Sequence, residues 1–148
     1  MEDILRDICA LNDESEILRL IALYGQLLDD CRFEEWADLF LGDATIMGHA
    51  GRAAFMKAIA DGQPNTPTKH VACSTIIDLD GDRANAWTDA FGLVDVGPGS
   101  NGSRSYANFP LRYYDQLVRH CGRWRVARRD YRLPGEPLPD GAIQTPAR

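Results

Sequence analysis

Histidine is the side chain best suited to move a proton near neutral pH, and this sequence contains three. His120 lies in a turn, Arg119-His-Cys-Gly122, and is expected to be solvated. His49 lies in a turn close to two glycines; it could border a cavity, although a surface position is the simpler interpretation. His70 begins a predicted strand and is the strongest candidate of the three.

The residues that alternate with His70 indicate which way its side chain points. Every second side chain of a strand shares one face. Small or apolar residues near the start of this strand predict that the face of His70 is turned toward the interior; the alternating residues are Ala72, Ser74, Ile76 and Asp78. A core histidine that is hydrogen-bonded to a carbonyl group explains the pattern equally well, so both interpretations stay open.

Tyr24 and Asp29 are further candidates, near the end of a long predicted helix. Tyr24 lies within an apolar stripe, so its ring is expected to be buried and its hydroxyl to need a partner or face a cavity. Asp29 follows two leucines, and the helix dipole disfavours a carboxylate at this end, which indicates another role. Five residues turn a helix by about 140°, so the two share a cavity only if the helix end unwinds or the cavity wraps around it.

Aromatic side chains are the natural wall of such a cavity, although Trp36, Trp87 and Phe91 are most simply core residues. Trp87 and Asp89 share one face of a predicted strand, as do Tyr106 and Asn108 on the next. If those faces point inward, they supply apolar and polar contacts, whereas a single bulge would invert them. The predicted substrate-binding set is Trp36, Met47, Phe55, Trp87, Phe91 and Asn108.

Charge argues against nucleic acid as a partner. The 148 residues carry 16 Lys and Arg against 22 Asp and Glu, a formal net charge of -6. Five arginines cluster around Trp124, but they alternate with apolar residues in a predicted strand. This alternation predicts the solvated outer face of a sheet with ion pairs between strands; the arginines are Arg123, Arg125, Arg128, Arg129 and Arg132.

The sequence carries no clear signal for a membrane span, for secretion or for a metal site. No segment approaches the roughly 18 to 20 apolar residues that span a bilayer. The N-terminus has acidic residues where a secretory signal needs basic ones. The four cysteines lie singly, without the short spacing of structural zinc sites, and are predicted to be free thiols. We therefore expect a cytoplasmic protein with no membrane partner and no metal.

Helical periodicity dominates the first 60 residues. It predicts a short helix over 4–11, a long helix from Ser15 to about Asp29, and shorter helices over 33–40 and 53–60. Strand-like segments then follow at 69–79, 82–96 and 104–132, the last divided by a turn at 120–122.

Two local signals refine the strand region. The dipeptide Asp80-Gly81 favours a tight hairpin turn. From Pro134 onward four prolines predict an extended or disordered tail. Helices first and antiparallel strands last favour an α+β domain, in which helices cover one face of a strongly curved antiparallel sheet and form a cone with an internal pocket.

The predicted elements carry five groups of residues in a fixed order. They are Tyr24 and Asp29, Phe33-Glu-Glu-Trp36-Ala-Asp-Leu-Phe40, Thr68-Lys-His70, Tyr113-Tyr-Asp115-Gln-Leu-Val-Arg119 and Gly122-Arg-Trp124-Arg-Val-Ala-Arg128-Arg129. Together with the order of elements, these groups resemble the SnoaL-like branch of the nuclear transport factor 2-like superfamily. The resemblance covers residues 13–132 and is greatest to the scytalone dehydratase-like and bile-acid dehydratase-like group. It implies one SnoaL-like domain over 1–148, with a cystatin-like roll as its core and a tail over 133–148.

This resemblance also implies a function. Tyr24, Asp29 and His70 would be catalytic residues of a cofactor-independent lyase or isomerase, with Asp29 and His70 acting in general acid-base catalysis. The substrate would be a small hydrophobic cyclic molecule of polyketide, steroid or aromatic type, and dehydration is the favoured reaction. The resemblance further implies a homodimer or small homo-oligomer.

Two alternatives stay open. The segment from Leu27 to Trp36 also resembles the small β subunit of ring-hydroxylating dioxygenases, which is largely structural. A protein that binds a small ligand without turning it over fits the same fold, because one architecture hosts many functions.

Overall fold

Three helices and six strands make up the part of the chain, residues 1–62 and 67–146, that the computed structural model describes. The helices are α1 (Glu2–Asp29), α2 (Phe33–Ala37) and α3 (Arg52–Gly62). The strands are β1 (Phe40–Ile46), β2 (His49–Ala50), β3 (Thr68–Asp80), β4 (Arg83–Pro98), β5 (Arg104–His120) and β6 (Arg123–Arg132). The predicted α+β architecture is confirmed.

The six strands form one sheet in the order β2-β1-β6-β5-β4-β3. Neighbouring strands are antiparallel except β1 and β6, which run parallel. The sheet is therefore mixed, whereas the sequence predicted an antiparallel one. Helix α1 covers one face, called the inner face below; the opposite face is the outer face.

Helix α1 is a single helix of 28 residues, where the sequence predicted a break at Asn12 and Asp13. Asn12 donates to the carboxylate of Glu16 one turn later, at 3.2 Å. Asp13 accepts hydrogen bonds from Arg119 at 2.6 Å and from the indole of Trp124 at 3.2 Å. Because both polar side chains have partners, the helix continues through them. None of the helices in the described ranges is long and apolar enough to cross a membrane.

The core lies between the C-terminal half of α1, helix α2 and the inner face. Burial of each large apolar side chain contributes about 1.5–3 kcal/mol, so this contact fixes α1 relative to the sheet. The buried residues of α1 are Ile17, Leu20, Ile21, Tyr24, Gly25, Leu27 and Leu28. Those of the sheet include Phe40, Ile46, Ala86, Leu117 and Val126.

A β-bulge in β3 changes which residues face the inside. The register shifts between Ala72 and Thr75. His70, before the bulge, borders an inner cavity as its predicted face requires. Beyond the bulge Ser74 is exposed and Ile76 is 52% exposed. The alternation therefore predicts the face of His70 correctly but places Ser74 and Ile76 on the wrong face.

A second bulge, in β6, has a larger consequence. Leu117 pairs with Val126 but Gln116 pairs with Arg128, so Ala127 is an extra residue. Val126 and Arg129 consequently both point inward, and both are fully buried. The prediction that Arg129 belongs to a solvated face is wrong for this reason.

The tail beyond Pro134 runs along the outer face without regular secondary structure as far as residue 146. The indole of Trp87 donates to the carbonyl of Ile143 at 2.7 Å. The amide of Gln116 donates to the carbonyl of Gly141 at 3.1 Å. Side-chain donors of the sheet therefore hold this segment against the outer face.

Candidate active site

The end of α1 meets the start of β3, and this contact joins Asp29 to His70. The Oδ1 atom of Asp29 lies 2.7 Å from Nδ1 of His70. The backbone N–H of His70 donates to both carboxylate oxygens, at 3.1 and 3.0 Å. One carboxylate therefore holds both the ring and the backbone of the same histidine.

Two further donors from β3 complete the surroundings of Asp29. The hydroxyl of Thr68 donates to Oδ1 at 3.3 Å, and Nζ of Lys69 lies 3.1 Å from Oδ2. The last turn of α1 contains no basic residue that would offset a negative charge at this end of the helix. The donors from β3 provide that stabilisation instead.

These contacts set the protonation of Asp29 and the tautomer of the His70 ring. Burial raises the pKa of Asp29, but the hydrogen bonds from His70 and Lys69 outweigh burial, so that the pKa lies below its ordinary value. Asp29 is therefore ionised near neutral pH and can only accept hydrogen bonds. The Nδ1 atom of His70 must then be the donor, which leaves the lone pair of the neutral ring on Nε2.

His70 borders a cavity of about 260 Å³ between α1 and the sheet. Small or apolar residues make up much of its wall, including Ile21, Ala22, Gly25, Ala72 and Ala90. The polar residues that border it are Tyr24, Gln26, Lys69, His70, Tyr113 and Arg129.

Tyr24 and Asp29 therefore contribute in different ways. Tyr24 borders the cavity and its ring lies edge-on to His70, with the ring centroids 6.2 Å apart. Asp29 acts on the cavity through His70. Helix α1 remains helical as far as Asp29, so the 140° difference in direction needs no unwinding.

Arg129 is a candidate that the sequence analysis missed. Its side chain is 1% exposed, and it donates to both oxygens of Asp115, at 2.6 and 2.7 Å. The guanidinium carbon lies 3.9 Å from the ring centroid of Tyr24 and 4.5 Å from that of Tyr113. Within the described part of the chain, Nη1 of Arg129 has no hydrogen-bond partner. A residue of the cavity wall thus retains a buried N–H donor.

The charges of this cluster follow from its burial. Burial raises the pKa of Tyr24, and Arg129 offsets this only in part. Burial and the neighbouring Tyr24 raise the pKa of Tyr113 well above its ordinary value. Burial opposes the charge of Arg129, but the Asp115 carboxylate outweighs it and raises the pKa of the guanidinium. Near neutral pH both phenols keep their protons and Arg129 is cationic.

The predicted substrate-binding residues are only partly brought to this cavity. Phe91 borders it. Trp36 lies in the core beside Tyr24, with ring centroids 5.6 Å apart, and Phe55 lies 5.3 Å beyond Trp36. Met47 packs against the same core. Trp36, Phe55 and Met47 therefore belong to the core and do not border the cavity.

Trp87 and Asn108 lie elsewhere, and their predicted place in the cavity is corrected. Ala86 and Ala90 are buried on the inner face, so alternation directs Trp87 to the outer face, under the tail. Asn108 is exposed. Asp89, on the same face as Trp87, pairs with Arg112 at 2.6 Å. His49 and His120 are both exposed.

Comparison with known proteins shows the family of the chain. Residues 10–130 match the family model of the SnoaL-like domain. The chain belongs to the SnoaL-like family. The resemblance predicted from the sequence is therefore confirmed. No curated protein matches the chain at a significant level.

Solved structures share the fold of this SnoaL-like protein. A candidate scytalone dehydratase from Novosphingobium aromaticivorans is 25% identical over 84% of this chain and 85% of that chain, with a TM-score of 0.73. An NTF2-like protein with a cystatin-like fold from the same organism is 24% identical over 93% of this chain and 92% of that chain, with a TM-score of 0.75. A candidate aromatic ring hydroxylase from this organism is 18% identical over 85% of this chain and 92% of that chain, with a TM-score of 0.73.

Proposed function

We propose that this protein is a cofactor-independent lyase or isomerase that abstracts a proton next to a carbonyl group of a small hydrophobic cyclic substrate. The observation that carries the proposal is the 2.7 Å contact between Asp29 and His70, because it leaves Nε2 as the basic nitrogen of a histidine on the cavity wall. Dehydration is the favoured reaction, supported by the SnoaL-like family and by the similarity to a candidate scytalone dehydratase.

His70 is the proposed general base and then the general acid. Its Nε2 takes a proton from the carbon beside the carbonyl group, and the electron pair of that C–H bond forms the enolate. The Asp29 carboxylate keeps the proton on Nδ1 and stabilises the imidazolium that results. The imidazolium then returns its proton to a departing hydroxyl, which leaves as water, or to another carbon, which gives an isomer.

Tyr24 and Arg129 are the proposed donors to the enolate oxygen. The protonated phenol of Tyr24 and the unpartnered Nη1 of Arg129 belong to residues that border the same cavity as His70. Donors that are already fixed in a buried site stabilise developing negative charge more strongly than they do in water.

The size of the cavity limits the substrate. Its volume of about 260 Å³ lies below the roughly 300–1,000 Å³ of sites for drug-sized ligands. This favours substrates of one or two rings, of aromatic or small polyketide type, over a steroid. The apolar part of the wall favours a ring system that carries few polar groups.

A turnover assay tests this proposal. The wild-type protein is mixed with cyclic β-hydroxyketones, which report dehydration, and with cyclic β,γ-unsaturated ketones, which report isomerisation; both give conjugated enones that absorb in the ultraviolet. We expect His70→Ala and Asp29→Asn to lower kcat by about 10²–10⁴-fold. His49→Ala, at an exposed histidine, is the control and should leave kcat unchanged. A loss of kcat below tenfold in both His70→Ala and Asp29→Asn would reject Asp29 and His70 as the catalytic pair.

The same samples separate the alternatives. A protein that only binds its ligand would retain affinity for ring compounds after His70→Ala and would turn over none of the panel. A dioxygenase small subunit would co-purify with a larger iron-containing partner. The 18% identity to a candidate ring hydroxylase reflects the shared fold and does not favour that alternative.

A further inference from the structure

Gly25 lies against His70 at the contact between α1 and β3. A Cβ atom added at Gly25 would lie 2.8 Å from Cβ of His70 and 3.3 Å from its carbonyl oxygen. Non-bonded carbon atoms pack favourably at about 3.5–4.0 Å. Any other residue at this position therefore requires the helix and the strand to move apart.

Backbone conformation does not explain this glycine. Gly25 lies in the interior of a regular helix and is not among the glycines with positive φ. Glycine in a helix interior is less favourable than alanine, because it loses more conformational freedom. The close approach to His70 is the feature that requires the absence of a side chain.

The position of Gly25 along the helix links it to Asp29. Residues four apart share one face of a helix, so Gly25 and Asp29 both face β3, and both contact His70. Asp29 has a short side chain, yet it must reach the ring nitrogen at 2.7 Å and the backbone N–H at 3.0 Å. The carboxylate can do this only while the helix stays close to the strand.

We propose that Gly25 is a positioning residue, whose missing side chain sets the separation at which Asp29 holds His70. An added Cβ atom at Gly25 would lie 2.8 Å from Cβ of His70, and the helix would have to move about 0.7 Å from the strand to bring this distance to about 3.5 Å. The same shift stretches the 2.7 Å contact between Asp29 and His70 past about 3.2 Å, where N–H···O hydrogen bonds become weak. The catalytic meaning of this spacing rests on the proposed function, whereas the spacing itself does not.

The test compares Gly25→Ala with Gly42→Ala in the full-length protein without ligand. A Cβ atom at Gly42, in β1, meets nothing within 4 Å, so Gly42→Ala is the matched control. The readout is the ¹⁵N spectrum of the His70 ring, which distinguishes the two neutral tautomers. We expect the Nδ1–H tautomer in the wild type and in Gly42→Ala, and a mixture of tautomers in Gly25→Ala. Retention of the wild-type tautomer in Gly25→Ala would overturn the proposal.

Asp29→Glu tests the same separation between α1 and β3 by changing the side chain that holds His70. It serves as the test of the proposal if Gly25→Ala does not fold. It retains the carboxylate but adds one methylene group where the separation leaves no room for it. We expect loss of the single tautomer here too, and its retention would count against the proposal.

Kinetics then connect the spacing to turnover. Gly25→Ala should lower kcat by about 10-fold to 100-fold, with little change in KM. The tautomer of His70 is measured without substrate, so the positioning role of Gly25 and the proposed enzymatic function can be rejected independently of each other. A wild-type protein that turns over none of the panel while Gly25→Ala still mixes the tautomers would reject the proposed function alone.

Discussion

Asp29 shows how a residue that is unfavourable in its own helix becomes stable through another element. Its carboxylate lies at the helix end where the dipole opposes negative charge, yet its side chain is 6% exposed and is contacted by His70 and Lys69 of β3. Its unusual place after two leucines predicted a special role. The family resemblance implied that Asp29 acts together with His70, but no local pattern could show their contact, because the two residues that hold the carboxylate are about 40 positions away.

Arg129 shows the opposite case, in which a residue type misled. Arginines in a strand that alternate with apolar residues are typical of a solvated face. One extra residue, Ala127, reverses the alternation and buries Arg129 against Asp115. No local sequence pattern specifies that bulge, so the burial of this arginine could be seen only in the structure.

The lowered pKa of Asp29 predicts how stability depends on pH. A carboxyl whose pKa is lower in the folded than in the unfolded state stabilises the fold above its ordinary pKa, and this stabilisation disappears as the pH falls through the lowered value. We expect the difference in unfolding free energy between the wild type and Asp29→Asn to be present near neutral pH and to shrink as the pH falls below about 4.

Urea unfolding at a series of pH values measures this difference. Asp3→Asn, in the exposed first turn of α1, corrects for the general effect of removing one negative charge. A difference between the wild type and Asp29→Asn that stays constant down to pH values near 3 would contradict the expectation.

At the scale of elements, periodicity predicts most of what is observed. The strands predicted over 69–79 and 82–96 correspond to β3 and β4. A tight turn joins them, but its central residues are Gly81, which has a positive φ, and Asp82, because Asp80 still pairs with Arg83. Helix α1 was divided in the prediction because Asn12 and Asp13 usually end helices. Their partners include Arg119 and Trp124, more than 100 residues away, which no local pattern contains.

The tail contributes to the stability of the sheet through Trp87. Its indole donates to the Ile143 carbonyl, and the ring is 4% exposed. We expect Trp87→Phe, which retains an aromatic ring but removes the N–H donor, to lower the unfolding free energy by about 0.5–1.5 kcal/mol. Chemical denaturation measures this change.

Truncation after Leu133 is the matching experiment on the tail itself. In the truncated chain, Trp87→Phe should change the unfolding free energy much less than in the full-length chain. The reason is that truncation removes the Ile143 carbonyl, which accepts the hydrogen bond from Trp87. An equal difference in the full-length and truncated chains would show that the tail does not contribute through this contact.

The whole molecule exposes three apolar side chains on the outer face of β3 and β4: Val71, Ile76 and Phe91 are 41%, 52% and 42% exposed. Val71 lies opposite Phe91, whereas Ile76 lies on the far side of the ion pair between Asp89 and Arg112. Together they form an interrupted apolar patch, and exposed apolar patches mark interaction surfaces. We propose that two copies pair through this patch, as the family resemblance implies, and we expect Ile76→Asp to convert the dimer to a monomer.

Size-exclusion chromatography with light scattering checks this expectation. Ile8→Asp is the control, because Ile8 is 56% exposed but lies on α1, away from the outer face. A wild-type protein that elutes as a monomer, or a dimer that survives Ile76→Asp, would contradict the proposed interface.

The fold was predictable at this scale and the function less so, for a physical reason. The order of helices and strands depends on many weak signals along the chain, which reinforce one another. The site depends on a few contacts between distant residues, such as those of Asp29 with His70 and of Arg129 with Asp115. The family resemblance suggested the former pair, and only the structure reveals the latter.

The most direct test of the proposed proton transfer is deuterium exchange from heavy water into a cyclic ketone, at the carbon beside the carbonyl group, followed by NMR. The exchange reports removal of the proton even when no product accumulates. We predict rapid exchange catalysed by the wild-type protein and a loss of about 10²–10⁴-fold in His70→Ala. Exchange that is absent in the wild type across the panel of one-ring and two-ring ketones, or that persists within tenfold in His70→Ala, would contradict the account.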